Sequence, residues 1–279
     1  MHLTVYLMGN SHMRSERSLD AYPSWLQQVI HESTERRLSV ANHELWRQLA
    51  DGSFALHAHR NLVVGFWPLV DCFPQFLALN LLKTNTCRDP AINGSRAWLS
   101  KNLQIEQRHA QWFLDWGEAF GTPRDEMFDG ARPVEMTAIT DWCWHVCQQG
   151  ELADAMAATN YAIEGVTGEW TPRLAHSEPY MSRLTTSDAK KGMRWLRVHA
   201  DYDDAHPWEA LDLIGQLLGP DPATVRIDGV RDAIWKTYEL YRIGCDVALE
   251  RVEKPRVRAN GLRGPAPRAN ARALAAAPA

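Results

Sequence analysis

The 279-residue sequence predicts an all-α fold, and three observations carry that reading. No Val/Ile/Thr-rich run with period-two alternation survives anywhere in the chain. Apolar residues recur instead at helical spacing, as at Trp25, Leu26, Val29 and Ile30. Within the amphipathic stretch WLRVHADYDDAHPWEA, His199, Asp203 and His206 stand at offsets of zero, four and seven. At ~100° per residue these positions span only ~60° of a helical wheel, so the three side chains can face one point. With 45% hydrophobic residues the chain can bury one large core, and twelve tryptophans make that core aromatic. One helical domain is expected over residues 21–254, between a loosely ordered lead at 1–20 and a tail at 255–279. The tail, rich in Pro, Ala and Arg and free of acids, reads as disordered.

In chain order, the lead has no basic region followed by a long apolar run, hence no secretory signal. A first helix begins after Pro23, and a second spans about 34–49, ending before Gly52. Residues 61–82, NLVVGFWPLVDCFPQFLALNLL, are the most apolar stretch and long enough for a membrane span. Asp71, Gln75 and Asn80 interrupt it, and Pro68 and Pro74 should break it into a buried helix pair walling a cavity. A long helix follows over 95–120, stopped by Gly121-Thr122-Pro123. Residues 133–149 and 152–174 form a helix pair separated near Gly150. Gly165 and Gly168 in the second member imply a close helix approach or room for a ligand. Ser187 and Asp188 can cap the helix that carries His199. Pro207 then makes a kink or helix junction, leaving His206 off the ideal wheel. Residues 208–218, a turn at 219–222 and a last helix over 223–253 close the bundle.

Charge is nearly balanced, 30 basic against 34 acidic residues, which argues against nucleic acid and anionic membrane surfaces as partners. The five cysteines, Cys72, Cys87, Cys143, Cys147 and Cys245, are odd in number and form no C-x-x-C pair, so they read as reduced thiols in a cytoplasm. Cys143 and Cys147, at i and i+4, leave a catalytic thiol as an alternative. The polar pattern points elsewhere. Glu106 and His109 in IEQRHAQWFLDW have the Glu-x-x-His spacing that sets a carboxylate beside an imidazole on a bundle helix. Glu164 in AATNYAIEGVTGEW lies on a face otherwise small or apolar, where a charge needs a partner. Three carboxylates and three imidazoles on three segments suit a dinuclear iron site. A polar helix face serving folding alone is the competing reading.

These residues resemble the ligand set of the haem-oxygenase-like diiron oxidases, relatives of the thiaminase II and pyrroloquinoline-quinone synthase folds. The wording of NYAIEGVTGEW and HADYDDAHPWEAL, with YPSWLQQVI, VVGFWPLV and DWCWH, is similar to that of the bacterial fatty-acid decarboxylases of that group, which form 1-undecene from dodecanoic acid. The likeness runs from about residue 22 to 250. It implies a haem-oxygenase-like bundle with metal ligands Glu106, His109, Glu164, His199, Asp203 and His206, of which Glu106, Glu164 and Asp203 also serve catalysis. It implies two Fe(II) per chain, with O2 as co-substrate, a medium-chain fatty acid as substrate and an external electron donor; because Asp203 and His206 lie on the segment that Pro207 kinks, the second iron is expected to be labile. Phe66, Trp67, Val70, Phe73 and Phe76 are the expected walls of the substrate pocket. A homodimer is compatible with the resemblance. Three alternatives stay open: a same-fold oxidase or N-oxygenase of an amino acid or other small acid, a cofactor-free oxidase, and a non-catalytic iron-binding helical protein.

Overall fold

The computed structural model describes residues 18–85, 87–202 and 205–250, and among them there is helix and no strand. The expectations for the first seventeen residues, for Asp203 and for the tail lie outside them. After a 3-10 turn, Leu19–Ala21, come α1 (Ser24–Ala41), α2 (Glu44–Ala50), α3 (Leu56–Leu82), α4 (Pro90–Glu106) and α5 (His109–Ala119). Next in the chain are α6 (Arg124–Asp129), α7 (Val134–Gln149), α8 (Leu152–Met156), a π-helical stretch (Ala157–Ile163) and α9 (Glu164–Ala175). Two short helices, α10 (Glu178–Met181) and α11 (Ala189–Gly192), precede α12 (Arg194–Tyr202), α13 (His206–Leu218) and α14 (Thr224–Glu250).

α1 starts where Pro23 predicts and buries Trp25, Leu26, Val29 and Ile30 as expected. The expected helix over 34–49 is overturned: α1 runs through to Ala41, and the chain breaks at Asn42 and His43. His43 causes the break, because its Nδ1 accepts the Leu45 N–H at 3.1 Å and caps α2. Its Nε2 lies 2.9 Å from Asp246 on α14, a partner about two hundred residues away that no local pattern announces.

The expected helix pair over 61–82 is a single helix. α3 runs 27 residues with Pro68 and Pro74 inside it. Each proline withdraws one backbone donor from the carbonyl four residues earlier, a loss of ~3 kcal/mol in an exposed helix. The carbonyl orphaned by Pro68 belongs to Val64, and Arg132 Nε reaches it at 2.9 Å. α3 is the one described helix long and apolar enough to cross a membrane by length and composition. More than half of that window is buried, and it packs against α4, α5, α7 and α14 at the bundle's centre. α14 in turn lies against α1, α7 and the π stretch, while α12 packs on α9 and α5.

The long helix expected over 95–120 is divided at Gln107 and Arg108, between α4 and α5. The backbone stays right-handed there, but Arg108 N–H bonds back three residues to Ile105 at 3.1 Å. Such i to i+3 bonding tightens the turn and eclipses side chains three apart. Asp188 does cap a helix, through the Lys191 N–H at 3.0 Å, but that helix is α11, and His199 belongs to the separate α12.

Candidate metal centre and cavity

Four of the six residues singled out by the sequence are buried: Glu106, His109, Glu164 and His199 are each at most 7% exposed. His206, partly buried, opens α13, so it does not share a helix with His199; Pro207 marks the junction at the first turn of α13. The single-helix wheel therefore fails, while the junction reading of Pro207 holds. Gly165 of α9 faces this junction, and a Cβ there would make ordinary contact with the Pro207 side chain at 3.4 Å, so the approach does not itself demand glycine.

The tightened turn between α4 and α5 sets His109 Nδ1 2.8 Å from Glu106 Oε2. The contact lacks hydrogen-bond geometry, and both ring nitrogens of His109 stay buried without a hydrogen-bond partner. His199 stands next to it, ring centroids 4.7 Å apart. His199 Nδ1–H donates to the Trp195 carbonyl at 2.7 Å, which fixes the tautomer with the lone pair on Nε2. Burial, then His109 and His206, push the His199 imidazole well below its usual range, so it stays neutral.

Glu164 comes directly after the π-helical stretch. A π turn accommodates an extra residue and rotates the helix beyond it, and such turns concentrate at functional sites. Here it places Asn160 so that its Nδ2 donates to Glu164 Oε1 at 2.6 Å, while the Thr159 hydroxyl, with one proton, lies 2.8 Å from the Ala155 carbonyl and 3.1 Å from Asn160 Oδ1. Glu164 Oε2 lies 3.4 Å from His206 Nδ1. Burial pushes the Glu164 carboxyl up; His206 opposes this and the Glu106 charge adds to it. Burial pulls His206 down, but Glu164, Glu106 and Glu209 outweigh it and hold the imidazole above its usual value. Trp98 packs edge-on against His206 and donates to Glu209 Oε2 at 2.7 Å.

Among the described residues no three His, Cys, Asp or Glu side chains close tightly enough to cage an ion. The donor chemistry nevertheless fits one. Two mutually repelling buried carboxylates, and an imidazole with neither nitrogen hydrogen-bonded, are groups that a divalent cation would satisfy.

Glu106, His109, Glu164 and His199 line a cavity of about 50 Å³. It is therefore narrow. Leu62, Phe66, Leu69, Val70 and Phe73 of α3 contribute to its wall, and among the described residues no Lys, Arg or Cys lines it. Of the expected pocket residues, Trp67 and Phe76 do not line it: Trp67 packs on Phe113 and Phe128, and Phe76 on Phe73 and Trp144. Cys143, Cys147 and Cys245 are buried elsewhere with thiols pushed up by burial, which removes the ground for a catalytic thiolate. Thr167 and Tyr241, not foreseen from the sequence, bring the cavity's hydroxyls; Tyr241 Oη accepts from Trp170 Nε1 at 3.3 Å and lies 3.5 Å from Thr167 Oγ1. Thr167 stands three residues after Glu164 on one helix face, the signal that could have found it.

The bundle defines the class of the protein. A TenA homolog from Pseudomonas syringae pv. tomato DC3000 superposes with a TM-score of 0.81 at 34% identity, over 86% of this chain and 98% of that one. A domain of unknown function with a haem-oxygenase-like fold from Shewanella denitrificans OS217 gives a TM-score of 0.64 at 13% identity, covering 80% and 91%. A putative TenA-like thiaminase from Sulfolobus solfataricus P2 gives 0.56 at 13%, covering 80% and 95%. The fold is thus haem-oxygenase-like. The family described as iron-containing redox enzymes matches residues 60–242, and the chain belongs to that family. Comparison with curated protein sequences gives no significant match.

Proposed function

We propose that this protein is a non-haem iron, O2-dependent oxidase that converts a medium-chain fatty acid, such as dodecanoic acid, to a terminal alkene and carbon dioxide. The observation that carries this reading is the cavity: narrow, walled by apolar side chains of α3, without a Lys or Arg among the described residues, and lined also by Glu106, His109, Glu164 and His199. Along the apolar wall of α3 an ammonium group would find no charged partner, since the only lining carboxylates among the described residues, Glu106 and Glu164, are the ones assigned to the metal, and burying it there costs several kcal/mol. An alkyl chain gains about 0.8 kcal/mol for each methylene it buries.

Glu106, His109, Glu164, His199 and His206, with Asp203 as the sixth member, would hold the metal. Iron bound there supplies the reduction of dioxygen. The chain's own residues do the rest. Asn160 holds one oxygen of Glu164 and leaves the other facing His206. The Trp195 carbonyl keeps His199 in the tautomer that presents Nε2. The apolar walls exclude water and lay the hydrocarbon tail along α3, with the substrate carboxylate at the buried cluster. Loss of hydrogen from the carbon β to that carboxylate, then fragmentation, yields the alkene.

The test is anaerobic loading with ferrous iron, addition of dodecanoic acid and air, and headspace gas chromatography. Undecene and carbon dioxide in equal amounts are expected. Oxygen consumption with an amino acid but none with any fatty acid from eight to sixteen carbons would overturn the reading.

A further inference from the structure

For an oxidase of this kind, converting a saturated acid to an alkene removes two electrons, whereas reducing dioxygen to two waters takes up four. The balance is RCH2CH2COOH + O2 + 2 e⁻ + 2 H⁺ → RCH=CH2 + CO2 + 2 H2O. Two electrons must come from outside the substrate, and a buried site needs a route for them.

Two partly exposed tryptophans touch the candidate ligands among the described residues. Trp98 lies against His206, but its indole N–H is given to the carboxylate of Glu209. Trp112 lies against His109, ring centroids 5.3 Å apart, and its surroundings are basic. The Arg194 guanidinium sits 4.2 Å over the Trp112 ring centroid. Arg108, exposed, precedes Trp112 by one turn, its carbonyl accepting the Trp112 N–H at 3.3 Å. α11, packed on α5, brings exposed Lys190 and Lys191, with Lys191 Nζ 3.3 Å from Asp115 Oδ1. Arg197 stands one turn beyond Arg194. The acids of this face are fewer: Asp115 is buried beneath Arg124 and Lys191, Asp188 caps α11, and Asp201 is exposed. The chain as a whole carries a net charge of −4, so this concentration of cations is a local feature.

We propose that this basic face docks an acidic one-electron carrier protein, and that Trp112 conducts its electrons to the metal held at His109. The docking half stands on charge complementarity, which steers encounter and fixes orientation. The conduction half rests on the iron-oxidase reading. In each transfer the carrier is oxidised by one electron and the metal reduced by one, and no residue of this chain is left oxidised. Two transfers complete a turnover, with both protons drawn from solvent.

An acidic plant-type [2Fe–2S] ferredoxin serves as the probe, on the full chain. Titration calorimetry with metal-free protein should show binding that weakens as salt is raised, and Arg108→Glu with Arg194→Glu should lower the affinity at least tenfold, circular dichroism confirming the fold. In stopped flow with protein loaded with iron and oxidised, reduction by reduced ferredoxin should be at least tenfold slower in Trp112→Leu, while reduction by dithionite is unchanged. Salt-independent or absent ferredoxin binding, or binding indifferent to the charge reversals, overturns the docking face. Reduction of Trp112→Leu at the wild-type rate overturns the route. A protein that takes up no iron overturns the oxidase reading and the route with it, whereas the metal-free titration still decides the docking face.

Discussion

Glu164 and His199 sit at 7% exposure among apolar walls, so removing either leaves the remaining ligands facing one another without a cation. Glu164→Ala and His199→Ala should each abolish tight iron binding, with a stability loss of about 1–3 kcal/mol and an unchanged helical spectrum. Metal analysis after anaerobic loading checks this, and full stoichiometry in both variants would remove these residues from the site. Asn160→Leu acts one step out: losing the donor that orients Glu164 should weaken iron binding by roughly 10–100-fold. His59 offers a residue-scale prediction independent of iron. It is buried, with Nε2 2.8 Å from Tyr180 Oη, and burial lowers its pKa to about 3. Its folded value lies below the ordinary 6.5, so the unfolded chain binds the extra proton between those limits. Its contribution is therefore complete above pH 6.5 and is lost as pH falls toward 3. Urea midpoints should drop between about pH 6.5 and 5, above the range where most carboxylates titrate, and His59→Phe should flatten that slope.

At the scale of elements, α3 is both the central helix of the bundle and the cavity's wall. Val70→Phe should shift preference toward shorter acids, since losing room for two methylenes costs about 1.6 kcal/mol, roughly tenfold in affinity. A competition assay over eight- to fourteen-carbon acids reads the shift, and an unchanged profile would mean that the tail lies elsewhere. Gly244 of α14 bears on the same wall: a Cβ there would come within 2.9 Å of the Phe66 ring. Gly244→Ala should therefore push Phe66 into the cavity and shift the profile the same way. The element boundaries around the site were only partly legible. Pro207 announced the start of α13, but nothing local announced the tightened turn after Glu106 or the π stretch before Glu164. Neither contains a proline; the helices joined by the turn, α4 and α5, both pack on α3, and the π stretch packs on α13 and α14.

For the molecule as a whole, the candidate ligands come from α4, α5, α9, α12 and α13, and no three described ones are already drawn to ion-caging distance. Closing several separate helices on a metal opposes binding by the order it demands. Glu106, His109 and His199 stand nearer to that state than His206, which approaches Glu164 only at 3.4 Å. Ferrous titration without substrate should thus give one tight site and a second at least tenfold weaker, with dodecanoate strengthening the second. Equal, tight uptake of two irons in the absence of substrate would count against this.

The sequence by itself determined the helical class, the start of α1, the burial of Glu106, His109, Glu164 and His199, and the apolar character of the α3 stretch. These depend on periodicity and on the cost of burying charge, which a chain displays without folding. Only the tertiary structure decided that α3 stays whole, because Arg132 reaches the carbonyl that Pro68 frees, and that His43 ends α1, because Asp246 of α14 holds it. It also decided which apolar side chains face the cavity. Phe66, Val70 and Phe73 do, whereas Trp67 and Phe76, equally apolar and on the same helix, turn to Phe113, Phe128 and Trp144. Asn160, Thr167 and Tyr241 acquire their places only when α9 meets α14 and the π stretch rotates Glu164. Such roles arise from contacts between segments far apart in sequence, and a single helical wheel holds no record of them.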